Sequence, residues 1–295
     1  GPAPNGSQSD FTDPMPIQSD TGCTGGARSV VSTPDGIMFV AARGFHLLTR
    51  GLEVVFIGGP VQETFKLFPV VTSAVLIAAQ SQVRWTCNNA SGTEGRVIVF
   101  DYAVKQWSIF RYTDVAAGVP DTAIMDAVLW QDAWTFVTAQ GRVYKETSAH
   151  NLDSNATWVT MRGSTAWICE GGPLGYQHIR RAMLMGNYYS RSTLTLSFAF
   201  NFIDSEAQAY KWTETELESF DDGINVGMHV GSQNGASPRA RAFRVSWQDG
   251  PPAPVDHGEG PEPDYGTGQG WDLSAIGIEF IPKPDMDRRS AKART

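Results

Sequence analysis

The stretch Asp35–Arg50 reads DGIMFVAARGFHLLTR, and the stretch Asp132–Thr147 reads DAWTFVTAQGRVYKET. Laid one over the other, Asp35 falls on Asp132, Phe39 on Phe136, Val40 on Val137, Ala42 on Ala139 and Gly44 on Gly141, at a constant offset of 97. A pattern written twice in one chain signals a repeated structural unit. Between the two copies, Ser73–Tyr112 (SAVLIAAQSQVRWTCNNASGTEGRVIVFDYAVKQWSIFRY) keeps the same order of parts: apolar run, polar turn, apolar run, glycine turn, apolar run, and a fourth run. Gly44, Gly95 and Gly141 fall on one turn position, spaced by 51 and 46 residues.

Read as strands, the first unit is Ser29–Ser32, Ile37–Ala42, Phe45–Arg50 and Leu52–Ile57. The second is Ser73–Ala79, Val83–Cys87, Arg96–Tyr102 and Gln106–Tyr112. The third is Ile124–Trp130, Trp134–Ala139, Arg142–Thr147 and Trp158–Met161. The turns carry Asp-Gly, Arg-Gly, Asn-Asn and Gln-Gly, residues that tolerate positive φ or bond back to the backbone. In RVIVFDY, Val97, Val99 and Asp101 share one face, and Ile98, Phe100 and Tyr102 the other. Four antiparallel strands recurring about every 40 to 50 residues is the pattern of a β-propeller blade. Such a sheet buries its faces only by stacking on neighbours, and Trp85, Trp107, Trp130 and Trp134 are expected to fill the space between blades. Propellers have about four to eight blades, and three are visible here. The expectation is a partial propeller closed by partners, or a piece of a longer product.

The 295 residues suffice for one large or two medium domains. Only 18% are charged, while 30 Gly and 17 Pro suit many short strands joined by tight turns. A net charge of −8 argues against a general nucleic-acid-binding surface but suits a wall that DNA slides past. No apolar run is long enough for a transmembrane helix and no secretory signal is visible. The three cysteines, Cys23, Cys87 and Cys169, lack the spacing of a zinc site and read as free or buried thiols.

After about residue 155 the pattern changes. Tyr176–Tyr188, then Thr193–Ile203, read as strands joined by a turn at Ser190–Ser192. Leu194, Leu196, Phe198, Phe200 and Phe202 share one face of the second strand. Further strands are expected at Ile224–Val230, Ala240–Gln248 and Ser274–Ile281. The fold class is therefore all-β: a partial β-propeller of three four-stranded blades followed by a β-sandwich-like domain. The domain plan is an extended N-terminal arm (1–28), blades (29–160), a sandwich-like domain (161–282) with long loops at 204–223 and 249–270, and a basic C-terminal tail (283–295). The acidic 206–223 segment reads as a loop or short surface helix, and 249–270 has too many Pro and Gly to form a core.

Catalytic constellations are absent from the spacing. Glu216, Glu218, Asp221 and Asp222 are the carboxylates available for glycoside hydrolysis, and all fall in one polar stretch that reads as a solvated loop. Asp204, Asp221 and Asp222 lack the spacing of a calcium loop. His46, His150, His178, His229 and His257 form no metal-binding pair. Ser32–Gly36 (STPDG) is a plain turn, and the sequons at Asn5, Asn89 and Asn155 matter only in a secretory context. No catalytic residue, cofactor or metal is expected.

Ser32–Gln62 (STPDGIMFVAARGFHLLTRGLEVVFIGGPVQ) resembles a stretch of virion proteins of tailed bacteriophages, of the tail hub or nozzle type of short-tailed phages. Gly44–Leu52 and Ile57–Val61 carry the match. Val97–Ser108 (VIVFDYAVKQWS) looks like the next blade, Gly175–Phe200 like the start of the sandwich, and Trp271–Pro284 like its closing strand. The resemblance covers roughly residues 28 to 285, and rests on packing and turn motifs, so it implies an architecture and a virion role but no reaction. It implies a structural protein forming a sixfold homo-oligomeric ring in the viral tail, assembled in the host bacterial cytoplasm. Such a ring lies below the portal and adaptor, DNA leaves through its lumen during ejection, and tail fibres or spikes attach outside. Proteins of this type carry more propeller sequence ahead of Ser29, so the chain is expected to be part of a longer one. The arm, the 249–270 loop and the basic tail are the expected subunit or partner contacts, with Pro251, Asp256, His257, Glu259, Tyr265, Arg288 and Arg289 the residues singled out. Two other readings compete: a carbohydrate-binding or glycosidase-like propeller acting in receptor recognition, and a propeller scaffold for host-type protein partners.

Overall fold

In the computed structural model of the chain, the described residues are 17, 19–114, 119–147, 152–153, 157–169, 176–188, 192–203, 208–213, 224–229, 239–251 and 270–283. They fall in two compact units, Gly1–Thr147 and Ser148–Thr295, a division earlier than the expected boundary after residue 160. Both units are built of antiparallel sheets, as the expected all-β class requires.

The first unit holds three meanders. Strands β1 (Val31–Thr33), β2 (Gly36–Ala41), β3 (Gly44–Thr49) and β4 (Val54–Phe56) pair in sequential order. So do β5 (Val70–Ile77), β6 (Gln82–Asn88), β7 (Gly95–Asp101) and β8 (Gln106–Phe110). The third sheet has β9 (Ile124–Trp130), β10 (Ala133–Thr138) and β11 (Val143–Lys145). Among the described residues it has no fourth strand. The expected one, Trp158–Met161, instead gives Trp158 to a separate hairpin in the second unit. A helix, α1 (Gln62–Leu67), lies between the first two sheets in sequence. Its six residues are too few for a helical period to stand out, and only the burial of Phe65 and then Phe68 marks its inner side.

The sheets stack face to face in series. One face of the second sheet (Val83, Trp85, Cys87, Ile98, Phe100) packs with Met38, Val40 and Phe45 of the first, closed at the edge by Phe65 and Phe68. Its other face (Val75, Ile77, Val97, Val99) packs with Ile124, Trp134 and Phe136 of the third. Phe45 sits at the centre of the first interface, 4.8 Å from the Trp85 ring and 5.0 Å from the Trp107 ring. The Trp85 indole donates to the Ser29 carbonyl at 3.2 Å, and that of Trp107 to the Ile57 carbonyl at 3.1 Å. Backbones approach most closely at the first strands, β1 beside β5 and β5 beside β9. The meanders therefore converge at their first strands, as wedges do around a common edge.

Polar groups link the second and third sheets as well. Asn88 uses both halves of its amide on one residue: Nδ2 donates to the Ile124 carbonyl at 3.0 Å, and Oδ1 accepts from the Ile124 N–H at 3.2 Å. Gly95, next to it, has no positive φ, unlike Gly44 (127°) and Gly141 (77°). It is required because a Cβ there would come within 2.6 Å of Asn88 Oδ1. The shared glycine thus serves two different needs. Arg84, only 2% exposed, donates to Glu146 at 3.0 Å and to Gln80 and Gln82, and its guanidinium lies 5.2 Å from the Phe110 ring and 5.4 Å from that of Trp134.

In the second unit, β12 (Leu152–Asp153) and β13 (Thr157–Trp158) form a hairpin. The remaining strands are β14 (Arg162–Ser164), β15 (Tyr176–Tyr188), β16 (Thr193–Phe200), β17 (Gln208–Thr213), β18 (Ile224–His229), β19 (Arg239–Ala240), β20 (Phe243–Gly250) and β21 (Trp271–Lys283). One sheet has the order β14-β20-β16-β17, and in the other β15 pairs with β18, β19 and β21. A single core draws on both sheets: Leu194, Leu196, Phe198, Phe200, Phe243 and Val245 from the first, Ile179, Ala182 and Ala240 from the second. Consecutive β15 and β16 belong to different sheets and do not pair as a hairpin, and the expected turn residues Ser190 and Arg191 lie outside the described residues. The expected 204–223 loop is interrupted by β17, which places Trp212 opposite Leu194. Phe202 does not join the core face. The strand ends at Phe200, Asn201 and Phe202 take positive φ, and Phe202 is 61% exposed.

The Arg84–Glu146 link gives a testable contrast. Removing only the acid leaves a buried cation with its two glutamine acceptors alone, whereas replacing the cation by an apolar side chain of similar length leaves a partly exposed acid that water can solvate. Glu146→Ala should destabilise the fold by about 1–2 kcal/mol, and Arg84→Met by less. Urea unfolding of the two variants checks this, and equal losses would contradict it.

Candidate interaction surfaces

Among the described residues of the first unit, the third sheet has one covered and one uncovered face. Trp134, Phe136 and Tyr144 point toward the second sheet. The register Thr135↔Val128, Val137↔Val143 and Ala133↔Trp130 puts Val128, Trp130, Val137 and Val143 together on the opposite face. Val128 is 55% exposed, Trp130 60% and Val143 70%. Trp130 was expected to fill the space between blades. It sits instead at a tight turn whose residues Gln131 and Asp132 both have positive φ (49° and 60°), which fits a type I′ hairpin. Trp85 and Trp134 are fully buried, as expected, and Trp107 is partly so.

One end of this sheet is closed by a buried carboxylate. Asp114 accepts from Arg142 at 2.7 Å, from the Tyr144 hydroxyl at 2.9 Å and from Thr138 at 3.3 Å. Burial, together with the bond to Asp114, holds the Tyr144 hydroxyl above its ordinary range. Three donors offset the desolvation of this acid, so its role is to tie down the chain before β9.

A second buried acid lies in the second unit. Asp249 (5% exposed), Ser192 and Trp158 are buried together around Gly270, where a Cβ would come within 2.7 Å of Asp249 Oδ2, 2.9 Å of the Trp158 ring and 3.0 Å of Ser192 Oγ. The backbone N–H of Asp249 donates to the Met161 carbonyl at 2.9 Å. Its Oδ1 has no hydrogen-bond partner among the described residues. Loss of solvent pushes the carboxyl up from an ordinary 3.8 to about 6, partly offset by the Gly250 N–H and the Ser192 hydroxyl. Asp249 and Gly270 are the two ends of the predicted 249–270 loop, so this knot ties both ends together.

Of the residues singled out as contacts, Pro251 is exposed immediately after β20. Asp256, His257, Glu259, Tyr265, Arg288 and Arg289 lie outside the described residues, as do Asp204, Glu216, Glu218, Asp221, Asp222 and His150. His46 is buried between Phe39 and Phe56, its Nδ1 3.0 Å from the Gly44 carbonyl. His178 and His229 fall in β15 and β18. Cys87 is buried, which raises its thiol well above the ordinary range, while Cys23 and Cys169 are exposed and free. Among the described residues no group of His, Cys, Asp and Glu is arranged to hold a metal ion, and no helix is long and apolar enough to cross a membrane. The uncovered face of the third sheet and the Asp249 knot were both missed in the sequence. Alternation marks β9 and β10 as strands but does not say which face has a neighbour, and a lone Asp at a strand end gives no sign of burial.

Asp249 sets a pH dependence. Its proton is held more tightly in the folded chain than in the unfolded one, so its stabilising contribution is complete below about pH 3.8 and is lost as pH rises through about 6. Thermal unfolding of Asp249→Asn should lack the decline that the wild type shows between those two values. Identical pH profiles would contradict the assignment.

No protein-family model matches the chain, and no curated protein matches it.

Proposed function

We propose that this chain is a structural and interaction protein, a ring-forming subunit of a bacteriophage tail of the hub or nozzle type. In this reading it forms part of the DNA-ejection conduit and a platform for neighbouring tail proteins. The single observation that carries the interaction role is the uncovered apolar face of the third sheet, with Val128, Trp130 and Val143 more than half exposed. The internal sheets cover such faces with one another, and a sheet face of this kind left in water marks a place where something docks. The phage-tail identity is supported by the sequence resemblance of Ser32–Gln62, Val97–Ser108 and Trp271–Pro284. In that setting the acidic balance of the chain keeps the DNA path non-adhesive. The partners are further copies of the chain in a sixfold ring, the portal or adaptor above, and fibres or spikes outside.

A second reading has one observation in its favour. Trp130 is an exposed aromatic beside Gln131 and Asp132, the combination on which a sugar ring stacks and hydrogen-bonds. It corresponds to the carbohydrate-binding alternative.

The deciding measurement is the mass of the native assembly by light scattering, with a glycan array run on the same preparation. The ring reading expects a closed multiple of the chain. It also expects Trp130→Ser to weaken assembly while leaving the thermal midpoint within about 2 °C, because this side chain contributes little to the fold. A stable monomer that binds glycans through Trp130 would overturn the ring in favour of the second reading.

A further inference from the structure

The three sheets of the first unit are stacked with one polarity. On β2 of the first sheet, Met38 and Val40 face the sheet that follows, and Ile37 and Phe39 face away from it. In the second sheet, Val83, Trp85 and Cys87 of β6 face back to the first. In the third, Trp134 and Phe136 of β10 face back to the second. The offset of 97 between the first and third sheets carries Phe39 onto Phe136 and Val40 onto Val137. Val137 lies on the uncovered face of the third sheet, with Val128, Trp130 and Val143. That face is therefore the counterpart of the one with which the first sheet covers the second. The outer face of the first sheet is likewise the counterpart of the covered face of the third. Ile37 stands at the position of Trp134, yet Trp134 is buried against the second sheet and Ile37 is 41% exposed. Around Ile37 the outer face is apolar: Leu48 and Phe56 are half-buried, and Phe39 and His46 are buried in a row of rings with Phe56.

One ion pair marks the stacking at its rim. Asp35, in the β1–β2 turn, is bonded to Lys105, in the β7–β8 turn of the next sheet. The same offset carries Asp35 onto Asp132, in the β9–β10 turn of the third sheet. Asp132 is exposed and makes no ion pair among the described residues. In the first sheet, the turn between the third and fourth strands carries one cation, Arg50. Its Nε donates to the Pro34 carbonyl at 2.8 Å, and a guanidinium has further donors to give.

We propose that the uncovered face of the third sheet in one copy packs on the outer face of the first sheet in the next, with Asp132 of the one beside Arg50 of the other. The proposal rests on the ring reading for the presence of a neighbour. The stacking of sheets then runs from copy to copy as it runs within one. Two different faces meet, so the contact is heterologous, the kind that closes into rings. An array of repeats that ends in water is capped by a polar outer face, whereas this one ends in Val128, Trp130 and Val143.

The test is sedimentation of the full-length chain with two pairs of variants. Ile37→Glu and Val128→Glu each set a charge in the shared face at a position exposed in the single copy. Each should keep the thermal midpoint and weaken self-association about tenfold or more, because a charge buried without a partner is costly. An equimolar mixture of the two should stop at pairs, since the third sheet of the first variant and the first sheet of the second are both intact. Asp132→Arg and Arg50→Asp should each weaken association by setting like charges together. Their mixture should recover the full assembly, because every contact again joins an acid to a base. If one pair of variants unfolds, the other pair decides. Loss of association with Val128→Glu but not with Ile37→Glu overturns the first sheet as the partner face and leaves the ring reading standing. So does assembly of all four variants at the wild-type level, or a mixture of the two glutamate variants that forms no pairs. A wild type that is monomeric at every concentration overturns the ring reading and the stacking together.

Discussion

Everything in the first unit depends on the two-sided burial of the β5–β8 sheet. A sheet in water normally leaves one face polar, and a sheet that is apolar on both faces must be covered twice. Here Val83, Trp85 and Cys87 need one cover, and Val75, Ile77, Val97 and Val99 need another. The first and third meanders supply them. Each fully buried large side chain contributes roughly 1.5–3 kcal/mol, so the tryptophan and phenylalanine clusters outweigh every polar link between the sheets. The polar links do something else: Asn88 and Arg84 set which residue of one sheet meets which residue of the next. Apolar faces alone can slide, but an amide bonded twice to Ile124 cannot.

The same distinction separates the two buried acids. Asp114 has three donors and Asp249 has a free oxygen among the described residues. The first behaves as a structural tie whose charge is provided for. The second keeps its neutral form over a range in which an exposed aspartate is ionised. Buried polar groups lacking partners are rare in folded chains and call for a reason. The reason offered by position is that Asp249, Ser192 and Gly270 bring two distant points of the chain together at the margin of the second core.

The repeated pattern made the first unit largely legible. Most of its strands lie within one to three residues of where alternation puts them, because apolar residues at every second position can be buried only in a strand. Trp134 and Trp130 show the limit. Both are tryptophans in strands of the same sheet, yet one is fully buried and the other mostly exposed. Their difference depends on which face has a neighbour, and that is a property of the assembly of sheets rather than of the strand. The β17 strand was hidden for another reason: QAYKWT lies in an acidic, weakly periodic stretch and is a strand only because β16 offers it an edge. Gly95 was recognised for its place but not its cause, since the Asn88 side chain that excludes a Cβ comes from the neighbouring strand.

A series of stacked meanders always has two ends, and the ends decide what the series can do. Within the chain each sheet is covered because the next one follows it. Among the described residues of the first unit, the succession ends at the third sheet with an apolar face that is largely exposed. A protein that had to remain alone would be expected to blunt such an end with charge on both face and edge. Here the described face retains Val128, Trp130 and Val143, each more than half exposed. In the reading proposed above, an apolar face left exposed in this way is where a partner docks.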